Sequence, residues 1–191
     1  MSKDQIDGAA PVWQTLDRAT LHRTPRLELV EDQTLNAAGK PEVYTHAIIP
    51  ASVTILAHDT RRDLYAVTRQ WIYTHGETQW RLPAGGTDRQ GTAPFREVAE
   101  KELREEVGAT AARWTLLGKV HGADSVTDHA DWVWLAEDLT LGEQELEDGE
   151  ADLVVHWLPF GELLGLVLSG DMPHAGSSFA VLALAARGGV A

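Results

Sequence analysis

The sequence predicts an α/β (α+β) fold in which a sheet carries helices on both faces. Three observations lead to this prediction. Short β-rich segments open the chain, one strongly helical segment follows near its middle, and further strands and two helices close it. The 191 residues suit one domain with a small extension, and a hydrophobic content of 43% is enough to bury a sizeable core.

Segments with alternating or β-branched apolar residues run through the first part of the chain. They predict strands at residues 26–31, 42–49, 52–57 and 64–70, with turn-like segments at 36–40 and 58–63. A mostly antiparallel sheet is expected from these strands.

The central helix is predicted at about residues 93–107. Thr92 is a suitable N-cap, Pro94 falls in the first turn, and Gly108 is a candidate C-cap. Further strands are expected at 114–120, 132–136 and 153–158, and helices at 160–168 and about 178–186.

The segment at residues 143–152 is acidic at six of its ten positions and lies between two predicted strands. One interpretation is a solvated loop. The other is a mobile loop that delivers one carboxylate to a reaction centre. The sequence leaves both open.

Composition and charge disfavour several classes of protein. The net charge of −13 argues against a nucleic-acid partner. No run of about 18 apolar residues suggests a membrane span, and the first ten residues, MSKDQIDGAA, lack the apolar region of a secretory signal. Cysteine is absent, which excludes disulfides and thiol chemistry. A cytoplasmic location without a membrane partner is therefore expected.

The acidic residues of the central helix do not all face away from its apolar side. At about 100° per residue, one broad apolar stripe forms along the helix. Glu102 and Glu106 fall inside this stripe, Glu105 lies at its edge, and Glu97 and Lys101 are expected to pair on the far side. The stripe comprises Phe95, Val98, Ala99, Leu103 and Val107.

Two carboxylates one turn apart that point toward a packed face repel each other and lose hydration. Protonation, a basic partner or a hard divalent cation must compensate. Mg²⁺ takes oxygen ligands and is usually held by one or two carboxylates together with substrate phosphates. A metal site and an ordinary acidic helix both remain open from the pattern alone.

The same segment, KELREEVGA at residues 101–109, resembles the second half of the Nudix box, G-x5-E-x7-R-E-U-x-E-E-x-G-U, where U is a bulky aliphatic residue. Other segments resemble ADP-ribose pyrophosphatases: VTRQW at 67–71, WRLPAGG at 80–86, the acidic loop at about 139–150, WLPF at 157–160 and SGD at 169–171. The similarity covers roughly residues 13–187. It indicates the ADP-ribose and NDP-sugar hydrolase branch of the Nudix superfamily.

The resemblance implies a Nudix-type α/β/α sandwich with a mixed sheet. Residues 13–50 are then expected to form an N-terminal antiparallel β extension that serves dimerisation, and residues 51–191 the Nudix domain. The sequence itself predicts that residues 1–12 form a flexible leader. A homodimer is the expected assembly.

The resemblance also implies that water attacks a phosphorus of a small-molecule nucleoside diphosphate linked to another moiety. By matching positions, Glu102 and Glu106 are the main expected Mg²⁺ ligands, with Glu105 alongside and the backbone carbonyl of Ala84 as a further ligand. Mn²⁺ is an expected substitute. Glu150 in the acidic loop is favoured as general base, with Glu147 next.

Four residues are candidate substrate contacts, each with a structural role as the alternative. Arg69, Arg81 and His174 are candidates for binding phosphate or sugar, and Trp13 is a candidate for stacking on the base.

Departures from the family pattern keep other functions open. Thr87, Ala93 and Lys101 stand where the box has Gly, Glu and Arg, and Ile72 stands where ADP-ribose hydrolases often have Arg. The first alternative is a catalytically weakened Nudix-like sensor that binds a nucleotide. The second is a hydrolase of another nucleotide, such as a dinucleoside polyphosphate. The presence of Glu102, Glu105 and Glu106 favours the enzyme.

Overall fold

The computed structural model describes residues 12–87 and 94–188. The chain divides into two compact units, one comprising the chain up to Ile49 with Ala123–Asp128, and the other comprising Pro50–Gly122 with the chain from His129 onward. The predicted leader, apart from Val12, lies outside the described residues. Among the described helices, none is both long and apolar enough to cross a membrane.

The N-terminal unit is an antiparallel sheet in the order β1 (Gln14–Arg23), β2 (Glu28–Leu35) and β3 (Pro41–Ile48). Strand β1 was not predicted, because it is exposed at all ten positions and has no buried face to produce an apolar alternation. Residues 123–128 join this unit through the hydrogen bond from the Ala47 N–H to the Val126 carbonyl, which the sequence did not indicate.

The second unit contains a seven-stranded mixed sheet. The main strand order is β10-β5-β4-β9-β8, with β6 beside β5 and β7 beside β4. Strands β4 and β9 are parallel, and the other pairs are antiparallel. The strands are β4 (Ser52–Asp59), β5 (Leu64–Ile72), β6 (Glu77–Arg81), β7 (Ala84–Gly86), β8 (Ala109–Val120), β9 (Asp131–Leu141) and β10 (Val154–Leu158).

Three helices cover the two faces of this sheet: α1 (Phe95–Val107), α2 (Phe160–Ser169) and α3 (Ala175–Ala186). Alternate side chains of β4 show the division, since Val53 and Ile55 pack in one core with α1, whereas Leu56 packs in another with α2 and α3. The predicted α/β/α sandwich with a mixed sheet is thereby confirmed.

The start of α1 differs from the sequence prediction, whereas its end agrees with it. The helix begins at Phe95 with Pro94 as its N-cap residue, and the predicted cap Thr92 and the box position Ala93 lie outside the described residues. Gly108 ends the helix in the left-handed conformation, with a φ of 66° and its N–H bonded to the Arg104 carbonyl, as a C-cap glycine should.

The segment at residues 83–86 was not predicted as a strand, but Ala84–Gly86 forms the short strand β7. It pairs with the first three residues of β4, from Ser52 opposite Gly86 to Thr54 opposite Ala84. A three-residue strand whose partner residues lie 30 to 34 positions away leaves no periodic signal in the sequence. Its consequence is that the glycine-rich segment lies over α1.

Candidate active site

The apolar face of α1 does carry two carboxylates into the protein. Val98, Ala99 and Leu103 are buried in the core, and on the same side Glu102 and Glu106 are only 7% and 4% exposed. The helical-wheel prediction for these two glutamates is correct. Their burial removes hydration from two like charges, so their surroundings must compensate.

Glu106 is the more buried of the two. Its Oε2 accepts a hydrogen bond from the Ala84 N–H at 2.9 Å. Burial nevertheless raises the pKa of Glu106 to about 8, although that hydrogen bond and the charge of Arg81 act in the opposite direction. Burial likewise raises the pKa of Glu102 to about 7, against the attraction of Lys101. Both carboxyls therefore hold protons unusually strongly.

A third carboxylate reaches this pair from the acidic loop, residues 143–152. Glu150 lies at the end of a 3₁₀ turn over Asp148–Glu150, and its ligand atom lies within 4.8 Å of those of Glu102 and Glu106. Its Oε2 accepts the Glu147 N–H at 3.2 Å. Glu147 is itself exposed and belongs to that turn rather than to the cluster.

Glu105 has a different partner from the other glutamates. The Lys101 Nζ lies 2.5 Å from Glu105 and 3.8 Å from Glu102. The expected pairing of Lys101 with Glu97 is wrong, because Lys101 turns toward the more acidic side of the helix, where Glu102 and Glu105 both attract it.

The space for the Glu102 carboxylate depends on a glycine. A Cβ added at Gly85 would lie 2.1 Å from the carboxylate carbon of Glu102, which is far inside any tolerable contact. The donor set is three carboxylates from two separate elements, and hard oxygen donors suit a hard divalent cation. The residues present thus fit such an ion. The sequence marked Gly85 only as part of the PAGG segment and did not indicate its contact with Glu102.

Arg81 and His174, both predicted to contact substrate, line a cavity of about 440 Å³. The Arg81 Nε is buried without a hydrogen-bond partner among the described residues, and burial lowers the pKa of this guanidinium. Burial also lowers the pKa of His174 to about 3, and its Nδ1 is hydrogen bonded to the Ser177 hydroxyl at 2.9 Å. The remaining lining residues are Ile72, Thr74, His75, Glu77, Gln79, Pro173 and Ala175.

The other two predicted substrate contacts lie elsewhere. The guanidinium of Arg69 is exposed and lies over the Trp80 ring, 5.2 Å from its centroid, and Arg69 does not line the cavity. Trp13 belongs to the N-terminal unit, where its ring meets that of Tyr44 edge-on at 5.9 Å. Neither contact identifies a ligand.

The raised pKa values of Glu102 and Glu106 predict that the metal-free protein loses stability as pH rises. Both carboxyls ionise near pH 4.5 in the unfolded chain but near 7 and 8 in the folded one, so the folded state binds more protons between these values. The free energy of unfolding should therefore fall across that window. We expect a decrease in melting temperature on the order of 5 °C from about pH 5.5 to about pH 8.5.

Scanning fluorimetry in the presence of a chelator measures this decrease. Glu106→Gln removes the most strongly shifted group and should flatten the profile. A pH slope that is equal in the wild type and in this variant would contradict the role given to Glu106.

An α/β/α sandwich with three carboxylates gathered beside α1 suits a class of protein, the hydrolases that act on phosphate compounds with the help of a divalent cation. The NUDIX domain family matches residues 49–179, which include α1 and the acidic loop. The chain belongs to the Nudix family, on the branch of the ADP-ribose pyrophosphatases, and is a Nudix pyrophosphohydrolase.

Two relatives support this assignment, and one solved structure shares the fold. An ADP-ribose pyrophosphatase of Mycobacterium tuberculosis (strain ATCC 25618 / H37Rv) is 32% identical over 175 residues, covering 90% of this chain and 83% of the relative. An ADP-ribose pyrophosphatase of Bacillus subtilis (strain 168) is 30% identical over 155 residues, covering 80% of each. The structure described as an ADP compounds hydrolase superposes with a TM-score of 0.79 at 22% identity, covering 93% of this chain and 97% of that one.

Proposed function

We propose that the protein hydrolyses a nucleoside diphosphate linked to another moiety, of the ADP-ribose or NDP-sugar type, in a Mg²⁺-dependent reaction. The observation that carries the proposal is the convergence of Glu102, Glu106 and Glu150, whose ligand atoms lie within 4.8 Å of one another. The two relatives named as ADP-ribose pyrophosphatases support the substrate class.

The carboxylates are proposed to have two roles, metal binding and general-base catalysis. Glu102 and Glu106 are the proposed main Mg²⁺ ligands, and the Ala84 carbonyl and Glu105 are the proposed additional ones. When bound, Mg²⁺ neutralises the diphosphate and activates water, with Mn²⁺ as a substitute. The Ala84 N–H already orients Glu106 at 2.9 Å. Glu150 is the proposed general base because it is the loop carboxylate that reaches the pair, with Glu147 as the second choice.

The cavity lined by Arg81 and His174 is the proposed place for part of the substrate, because the charge of Arg81 reaches Glu106 of the cluster. Its volume of about 440 Å³ lies within the range of small-molecule sites. Arg81 offers a buried cation with an unpaired Nε–H, which suits a phosphate oxygen. His174 is neutral at pH 7, since burial lowers its pKa, and it contributes polarity without charge. Arg69 and Trp13 remain proposed contacts, for phosphate and base respectively.

A panel of substrates tests the proposed function. ADP-ribose, NDP-sugars and dinucleoside polyphosphates are incubated with the full-length protein and Mg²⁺ or Mn²⁺, and the release of phosphorylated products is measured. We expect turnover of at least one NDP-linked compound. No turnover of any compound, combined with tight binding of one, would establish instead the sensor function.

One observation favours that second candidate. The Lys101 Nζ, 2.5 Å from Glu105, places a protein cation where a metal ion would otherwise meet this carboxylate. A standing ion pair competes with a metal ligand for the same oxygens and would weaken metal binding.

A homodimer formed through the N-terminal sheet is part of the proposal. Every residue of β1 is exposed, including Leu16 and Leu21, so this outer strand has an uncovered surface within one chain. Exposed edge strands of this kind pair readily with a second chain. We expect light scattering to give twice the mass of one chain, and a monomer at micromolar concentration would refute the dimer.

A further inference from the structure

The root of the acidic loop, residues 142–145, is hydrogen bonded to the C-terminal end of α1 and to Gly108 behind it. The Gly142 N–H donates to the Gly108 carbonyl at 2.5 Å, and the Glu145 N–H donates to the Glu105 carbonyl at 2.9 Å. Between them, the Gln144 Nε2 donates to the Glu106 carbonyl at 2.5 Å. The last carbonyls of a helix have no partners within the helix, so the loop supplies the donors that they lack.

The approach of the two backbones is close enough to require glycine. A Cβ at Gly108 would lie 2.6 Å from the carbonyl carbon of Glu143, and the φ of Gly108 is 66°. Both the left-handed conformation and the contact exclude a side chain there. The root of the loop is thus held against the helix by backbone packing as well as by hydrogen bonds.

The far end of the loop is fixed too. The Trp71 N–H donates to the Asp152 Oδ2 at 2.7 Å, and Leu153 is buried. Glu150 lies between these two attachments, with its ligand atom within 4.8 Å of those of Glu102 and Glu106. The position of Glu150 therefore depends on where the root of the loop is tied.

We propose that Gln144 is a positioning residue for the carboxylate cluster. Its side chain bonds the carbonyl of Glu106, and so ties the loop that carries Glu150 to the helical turn that carries Glu106. Gln144 touches neither metal nor substrate in this role. It fixes the separation between Glu106, a proposed ligand, and Glu150, the third carboxylate of the cluster, whose negative charge also favours a bound cation. The inference rests on the proposed function, because it takes Glu150 to act together with Glu102 and Glu106.

Substitution of Gln144 by leucine tests this role, since leucine has a similar size but no donor. We expect the full-length variant to bind Mn²⁺ about tenfold more weakly, as for other residues that orient a metal ligand. Binding is measured by electron paramagnetic resonance in the absence of substrate. A Glu-specific protease should cut the acidic loop faster, while the melting temperature stays close to that of the wild type. Gln33→Leu, the same change at an exposed position of β2, should alter neither quantity.

A second background separates positioning from a general structural effect. In the Glu150→Gln variant, Gln144→Leu should weaken Mn²⁺ binding further by less than about twofold, because the carboxylate it positions is already gone. Three outcomes would each overturn the proposal. They are a further tenfold loss of Mn²⁺ affinity in the Glu150→Gln background, an unchanged Mn²⁺ affinity in Gln144→Leu alone, and an unchanged Mn²⁺ affinity in Glu150→Gln alone. These measurements require no turnover. A substrate panel without turnover would therefore contradict the proposed function without deciding the role of Gln144.

Discussion

Glu106→Gln should lower turnover by at least about 10²-fold, the scale of one essential polar catalytic interaction. The variant should also fold normally. Its amide oxygen can still accept the Ala84 N–H, which now bonds the Glu106 Oε2 at 2.9 Å, and a buried negative charge disappears. We expect an equal or higher melting temperature at pH 8 and a matching loss of Mn²⁺ affinity.

Steady-state kinetics on the best substrate of the panel, together with Mn²⁺ titration, measures this effect. The matched control is Glu100→Gln, the same change on the same helix, where the glutamate pairs with Arg96 at 2.9 Å outside the cluster. Turnover of this control should stay near the wild-type value. Wild-type activity in Glu106→Gln would show that the metal is held elsewhere.

Gly85→Ala should damage function far more than stability. The new Cβ would lie 2.4 Å from each carboxylate oxygen of Glu102, so the flexible end of Glu102 must leave its place in the cluster. A displacement of about 1 Å in a reacting constellation can cost about 10²-fold in rate. We therefore expect a loss of about 10²-fold in turnover with only a small decrease in melting temperature.

Gly86→Ala is the control for this substitution. It changes the neighbouring residue of the same strand, and an added Cβ there meets no atom of the described residues within 4 Å. Neither glycine has a positive φ, so backbone strain does not distinguish the two variants. Equal kinetics and equal Mn²⁺ affinity in both alanine variants would refute the idea that Gly85 makes room for Glu102.

Some features of the site could be read from local sequence, and others could not. The burial of Glu102 and Glu106 follows from the helical period, because Val98, Ala99 and Leu103 fix which side of α1 meets the sheet. The partner of Lys101 could not be read in this way. It has glutamates four residues before and four residues after it, and only the folded arrangement of charges decides for Glu105.

The N-terminal strands show the same division. Strand β2 alternates buried residues with less buried ones and agrees with a predicted strand, although its bounds are Glu28–Leu35 rather than 26–31. Strand β1 escaped recognition because none of its residues is buried within the chain. A pattern of burial can appear in the sequence only where the chain itself supplies the covering surface.

The sandwich, the central helix and the face on which two glutamates lie could be predicted from the sequence, since these features depend on periodicities within about 15 residues. It also carried the Nudix resemblance, which the family match confirmed. Three further features became visible in the folded chain: Glu150 converges with this pair, Gly85 leaves the space that Glu102 occupies, and the Arg81 Nε is buried without a partner among the described residues. These features depend on contacts between residues distant in sequence, and such contacts impose no period on the residues that make them.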